Sequence, residues 1–187
     1  MENKSNEARI VDILSHSRHD WMNKLQLIKG NLSLQKYDRI KDIIEEIVIE
    51  AQQESKLCNL KMPAFASFLM TFNWSKHQFY LEYEVIGELK VLKEYDELLT
   101  KWSKGFLDIL DHTVDSTCEN HLCLTLKTDD QVKDKICFIF EFDGKINNTE
   151  LVTEWIHSTD HTEIGIDDFE ISTYELNTAI SLTITDR

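Results

Sequence analysis

The chain is poor in the residues that bend a backbone. One proline, Pro63, and five glycines serve all 187 positions, and no G-x-G or G-x-x-G spacing follows residue 144. Backbone amides close round a phosphate where glycine lets the chain turn tightly, so a glycine-rich nucleotide cradle is excluded there. The four cysteines (Cys58, Cys118, Cys123 and Cys137) form no C-x-x-C pair and read as small, reduced core residues of a cytoplasmic protein. No run approaches the ~18 apolar residues of a membrane span. The opening MENKSNEARIVDIL lacks the apolar stretch of a signal peptide, which predicts a cytoplasmic protein with no membrane partner. Positive charge is also short. Residues 1–58 hold 9 Lys and Arg against 10 Asp and Glu, whereas residues 59–187 hold 11 against 24. An acidic body excludes nucleic acid as the main partner, and the charge step predicts two units, 1–60 and 61–187.

What is present begins with a helical seam. Ile10, Leu14, Ser17, Trp21, Leu25, Ile28 and Leu32 recur at steps of three and four. SLQKYD (33–38) interrupts them, with Asp38 as the expected N-cap of a second helix, whose stripe is Ile40, Ile43 or Ile44, Ile47 and Ala51. Two helices cannot enclose this seam alone. The pattern predicts an αα-hairpin that pairs with a second copy into a four-helix bundle.

Beyond the hairpin the grammar is α+β. Pro63 opens a helix over AFASFLMTFNW, FYLEYEVIG alternates as a strand, and residues 94–116 read as a long helix with Gly105 inside it. HLCLTLKT and KICFIFEFDG are strands joined through TDDQVKD. NTELVTEWIHS is a short helix capped near Asn148 or Thr149, and DFEISTYEL with TAISLTIT forms a closing hairpin. The expected architecture is a layer of helices on one largely antiparallel sheet.

One stretch does not serve the seam. At ~100° per residue, His19 lies ~200° from both Ser17 and Trp21, so it faces solvent. An exposed imidazole near neutral pH offers an unprotonated nitrogen, and a rigid helix fixes where that nucleophile points. The surrounding residues, Arg18, His19, Asp20, Trp21, Asn23, Leu25, Gln26 and Ile28, resemble the H-box of two-component histidine kinases. With the hairpin and the α/β half behind it, nearly the whole chain resembles the histidine-kinase-like phosphotransferases of the bacterial sporulation phosphorelay.

That resemblance implies that His19 carries a phosphoryl group. It also implies that Arg18, Asp20, Met22, Asn23 and Gln26 contact partners or tune the imidazole. The implied donor is a single-domain response regulator and the implied acceptor a response-regulator transcription factor. The protein would have no cofactor of its own, and Mg2+ would be supplied at the regulator's active site. Kinases of this kind bind ATP through an asparagine on a long helix and a D-x-G-x-G turn. Here Asp111 and His112 occupy the asparagine region, and FDGKINN keeps Asp143 and Gly144 without a second glycine. The α/β half therefore resembles a degenerate ATP-binding domain, and no kinase activity is expected.

Two rivals remain open at this level. His16, His19 and Asp20 share a helix, but no fourth zinc ligand stands at a recognisable spacing, and no metal is expected. His157 and His161 read as solvated surface. The other rival is a dimeric scaffold that binds response regulators without phosphotransfer.

Overall fold

The computed structural model describes residues 2–87, 91–128, 135–158 and 164–183. The chain folds as two compact units, Met1–Gln52 and Gln53–Arg187.

The first unit is an antiparallel pair of helices, α1 (Glu2–Ser33) and the greater part of α2 (Tyr37–Asn59). Lys24 on α1 is ion-paired with Glu50 on α2, and Ile43 is the buried apolar residue of α2 in this unit. The turn between the helices corrects the expected cap. Ile40 N–H donates to the Lys36 carbonyl, so Lys36 holds the N-cap place and Asp38 sits inside the first turn, where its charge meets the helix dipole. Upstream, Lys36 N–H donates to Asn31 O at 2.9 Å and Gln35 N–H to Leu32 O at 3.0 Å. This crossed pair of bonds ends α1, with Gln35 in the left-handed region at φ 56° where glycine is usual.

The apolar seam is open in the single chain. Ile10, Leu14, Trp21, Leu25 and Leu32 are all exposed, while Ser17 and Ile28 are half-buried.

The second unit takes the last turns of α2, whose Leu57 joins its core. Lys61, at φ 60°, then turns the chain into Pro63, which opens α3 (Pro63–Thr71). Five strands follow: β1 (Tyr80–Ile86), β2 (His121–Thr128), β3 (Lys135–Asp143), β4 (Gly165–Ile171) and β5 (Glu175–Thr183). They form one sheet ordered β1-β2-β3-β5-β4, in which only β1 and β2 run parallel. The parallel pair needs a crossover, and α4 (Asp96–Thr113) supplies it. α4 packs against both α3 and α5 (Thr149–Ser158).

Alternation decides what the sheet buries. Leu122, Leu124 and Leu126, Phe138, Phe140 and Phe142, and Leu176, Ile180 and Leu182 all point into one core with α4 residues Leu99, Trp102, Phe106 and Leu110. Gly105 is where α5 comes closest, because a Cβ there would stand 2.8 Å from Trp155. Asn148 is the cap of α5, accepting Leu151 N–H at 3.1 Å.

Two expectations are corrected in this unit. The closing hairpin turns at residues 172–175, where Ser172 and Glu175 bond each other, and Asn177 lies inside β5. The cysteines are all free, but only Cys137 is buried; Cys58 and Cys118 are exposed and Cys123 is half-buried. Burial pushes the Cys123 thiol up, with the Glu141 and Glu82 carboxylates adding to the effect. The TDDQVKD turn lies largely outside the described residues.

Candidate functional site

α1 carries the candidate nucleophile on a helix that runs 32 residues without interruption. The His19 side chain is 73% exposed. Both of its contacts fall on one ring nitrogen: Asn23 Nδ2 lies 3.3 Å from Nδ1, and Asp20 Oδ1 lies 3.6 Å from it. The first is one helical turn ahead, where i and i+4 side chains meet. The second is longer than a hydrogen bond. Nε2 has no contact of its own among the described residues. With a proton on Nδ1, that N–H faces the Asp20 carboxylate and the Asn23 amide, whose oxygen and nitrogen exchange places by a half-turn. The Nε2 lone pair then points into solvent.

The neighbours divide into those free to meet a partner and those already committed. Met22, Asn23 and Gln26 are exposed. Arg18 is exposed and reaches Ser15 Oγ at 3.4 Å. Lys24 is paired with Glu50 and lies 5.7 Å from the centre of the Trp21 ring. His16 turns its Nδ1 back to the Asp12 carbonyl at 3.0 Å. Among the described residues no group of three or more His, Cys, Asp or Glu is placed to hold a metal ion. His157 is exposed and forms a T-shaped pair with Phe169, and His161 lies outside the described residues.

In the second unit, the residues that the resemblance sets against a kinase's nucleotide-binding positions are bonded within the chain. Asp111 accepts Gln78 N–H at 2.6 Å and faces His77 Nδ1 at 3.1 Å, while the His77 ring stacks on Phe72 at 3.8 Å. His112 is exposed and bonds the Asp108 carbonyl, which, together with the Asp108 carboxylate, raises its pKa. The loop after β3 is fully engaged. The N–H groups of Gly144, Lys145, Ile146 and Asn147 donate to Tyr174 O, Asn120 Oδ1, Thr173 O and Thr113 O. Gly144 is required there, since a Cβ would stand 2.3 Å from Asn120 Oδ1.

The sequence reading overlooked Asn120. It is 4% exposed, its side-chain amide lies within hydrogen-bond distance of the carbonyls of Gln78, Asp115 and Cys118, and its own carbonyl accepts Tyr80 N–H. Its partners are scattered from residue 78 to residue 145, so no local pattern announces it.

Residues 1–60 match the sensor kinase SpoOB-type alpha-helical domain, and residues 61–183 match the C-terminal domain of sporulation initiation phosphotransferase B. The chain is 45% identical over 184 residues to the sporulation initiation phosphotransferase B of Bacillus subtilis (strain 168), covering 97% of this chain and 95% of that one. The chain belongs to the sporulation initiation phosphotransferase B family.

Among solved structures it is similar to the nucleotide-free catalytic domain of the histidine kinase ThkA at 11% identity and a TM-score of 0.40, covering 68% of this chain and 92% of that one. It is also similar to ThkA in complex with the response regulator TrrA, at 11% identity and a TM-score of 0.39, over 93% of this chain and 61% of that one. The family assignment rests on the sequence matches and not on these loose superpositions.

Proposed function

We propose that this phosphotransferase moves a phosphoryl group through His19, from the aspartyl phosphate of one response regulator to the aspartate of a second that controls sporulation. The single observation that carries the reading is the imidazole itself: exposed on an unbroken helix, with both contacts on Nδ1 and Nε2 free to attack. In the forward step the Nε2 lone pair forms the N–P bond as the aspartyl O–P bond breaks. The carboxylate leaves with that bonding pair, and the Nδ1 proton stays in place, facing Asp20 and Asn23. The second step runs the same displacement toward a new carboxylate. Such transfer demands alignment and charge management, which a rigid helix and a partner's Mg2+ site supply between them. The test is incubation with a labelled phospho-receiver. Acid-labile label is expected on histidine in the wild type and none in His19→Gln, while His16→Gln transfers nearly as well. Label in His19→Gln, or none in the wild type, overturns the assignment.

The same reading holds that the α/β unit binds ATP weakly or not at all. It is supported by four consecutive loop amides already bonded to protein oxygens and by an Asp111 carboxylate tied to Gln78. Calorimetry with Mg-ATP is expected to show no binding below millimolar concentration. Micromolar affinity, or label from γ-labelled ATP on His19, overturns it.

A further inference from the structure

We propose that the open face of the sheet is a docking surface for a basic α-helix carried by a partner protein, a role separate from transfer through His19. The helices that close the core, α3, α4 and α5, all pack on the other face. Strand pairing arranges the open face in rows of directly opposed residues. Its middle row runs Glu84, Thr125, Ile139, Ala179 and Asp168, across β1, β2, β3, β5 and β4 in turn. Thr125, Ile139 and Ala179 are half-buried and make a small, largely apolar floor. Glu84 and Asp168 end the row, both exposed. The next row adds Glu82, Glu141 and Glu170, also exposed.

A sheet face that meets only water needs polar side chains of either sign. Here five carboxylates surround the floor, and the cation of these rows and the row beyond is Lys127 alone. None of the five carboxylates has an ion-pair partner among the described residues. Glutamate is depleted in strands, and like charges set across a sheet weaken it. Cys123 lies between Glu82 and Glu141 and feels the crowding: burial raises its thiol most, and Glu141, Glu82 and Glu84 raise it further. Folding alone has no use for this arrangement, whereas a cationic partner relieves the repulsion.

The dimensions select the partner's shape. Neighbouring strands lie ~4.8 Å apart, so the floor spans ~10 Å and Glu84 and Asp168 stand ~19 Å apart. An α-helix with its side chains is ~10–12 Å across. One helix therefore fits over the floor with small or apolar residues beneath it. Lysines or arginines on its two flanks then meet the carboxylates at both ends of the row. Nucleic acid, an anionic membrane and the α/β unit of a second copy, with 11 Lys and Arg against 24 Asp and Glu, are all repelled by the same field.

The test uses the full-length protein and a fluorescein-labelled helical peptide with lysines along both sides of an alanine and leucine stripe. Fluorescence anisotropy is expected to show binding of this peptide and none of its counterpart with glutamate for lysine. Combined Glu82→Gln, Glu84→Gln and Glu141→Gln should weaken binding at least tenfold, and Ile139→Lys likewise. The same charge removed from α4 and α5, by Glu97→Gln, Glu150→Gln and Glu154→Gln, should change it less than twofold. The melting temperature of the sheet variant should not fall, since repulsion is being removed. Phosphoramidate, a small donor that needs no docking, should label His19 in that variant at the wild-type rate. Equal weakening by the two triple variants overturns the proposal, because net charge then explains the binding without a site. A wild type that binds neither peptide overturns it as well, and so does a sheet variant that melts lower, whose carboxylates then serve the fold.

Discussion

A histidine that both receives and releases a phosphoryl group needs an imidazole held in direction but not closed in. His19 has the geometry that the proposed relay asks for through i,i+1 and i,i+4 neighbours alone, and Asp20 and Asn23 take their places beside it as soon as the helix forms. Asn120 is the opposite case. It joins the segment before β1, the loop after α4 and the loop after β3 through hydrogen bonds that span up to 42 positions, and only the folded sheet brings these together. Asn120→Ala would take a partner from Lys145 N–H and from the part-buried carbonyls of Gln78 and Asp115. It is expected to cost about 2–4 kcal/mol of stability in the α/β unit, read by chemical denaturation. A loss under about 0.5 kcal/mol would show that water substitutes for the amide there.

At the scale of elements, what fixes each boundary decides what could be read beforehand. Pro63, Gly87 and Asn148 punctuate the chain by their own conformational limits, and the elements beside them fall where expected. The turn at 34–36 has no such residue. It is closed by backbone bonds with Gln35 in an unfavoured conformation, so Asp38 drew the cap two places too far along. The β4–β5 turn was misplaced for a similar reason, since Ser172, and not a glycine or Asn177, organises it through Tyr174 and Glu175 N–H.

Between elements, Lys145 Nζ meets Asp115 at 2.7 Å and ties the loop after β3 to the loop after α4. The Lys145 ammonium, with help from Thr117, holds the Asp115 carboxyl well below the usual carboxylate range, and Asp115 raises Lys145 in turn. A depressed carboxylate contributes stability above its unfolded pKa of about 3.9, and the contribution is lost as pH falls through the folded value. A raised lysine contributes below about 10.4 and loses it as pH climbs through the folded value. The stability difference between wild type and Asp115→Asn is therefore expected to be flat from about pH 5 to pH 9, narrowing in strong acid and strong alkali. Denaturation midpoints across that range check it, and a difference that disappears between pH 5 and pH 7 would remove the pair's role.

For the molecule as a whole, the α/β unit encloses its own core and the hairpin does not. α1 leaves Ile10, Leu14, Trp21, Leu25 and Leu32 more than half exposed along one stripe. Fully burying a side chain of this size is worth about 1.5–3 kcal/mol, so five open positions represent a large unrealised gain in a single chain. The heptad-like spacing was legible from residue 10 onward because it is periodic. What the stripe packs against is not written in one copy. The expected partner is a second hairpin related by a two-fold axis, which would present the same stripe and close a four-helix bundle with one His19 on each outward face. Leu25→Asp then sets a carboxylate from each copy inside the bundle, where an unpaired charge is strongly disfavoured. Sedimentation is expected to give a dimer for the wild type and monomers for Leu25→Asp, with the α/β unit still folded by near-ultraviolet circular dichroism. Phosphoramidate should continue to label His19 in those monomers, since Nε2 needs no residue from the second copy to react. A monomeric wild type at micromolar concentration would mean that a different partner covers the stripe, and the two-fold bundle would have to be given up.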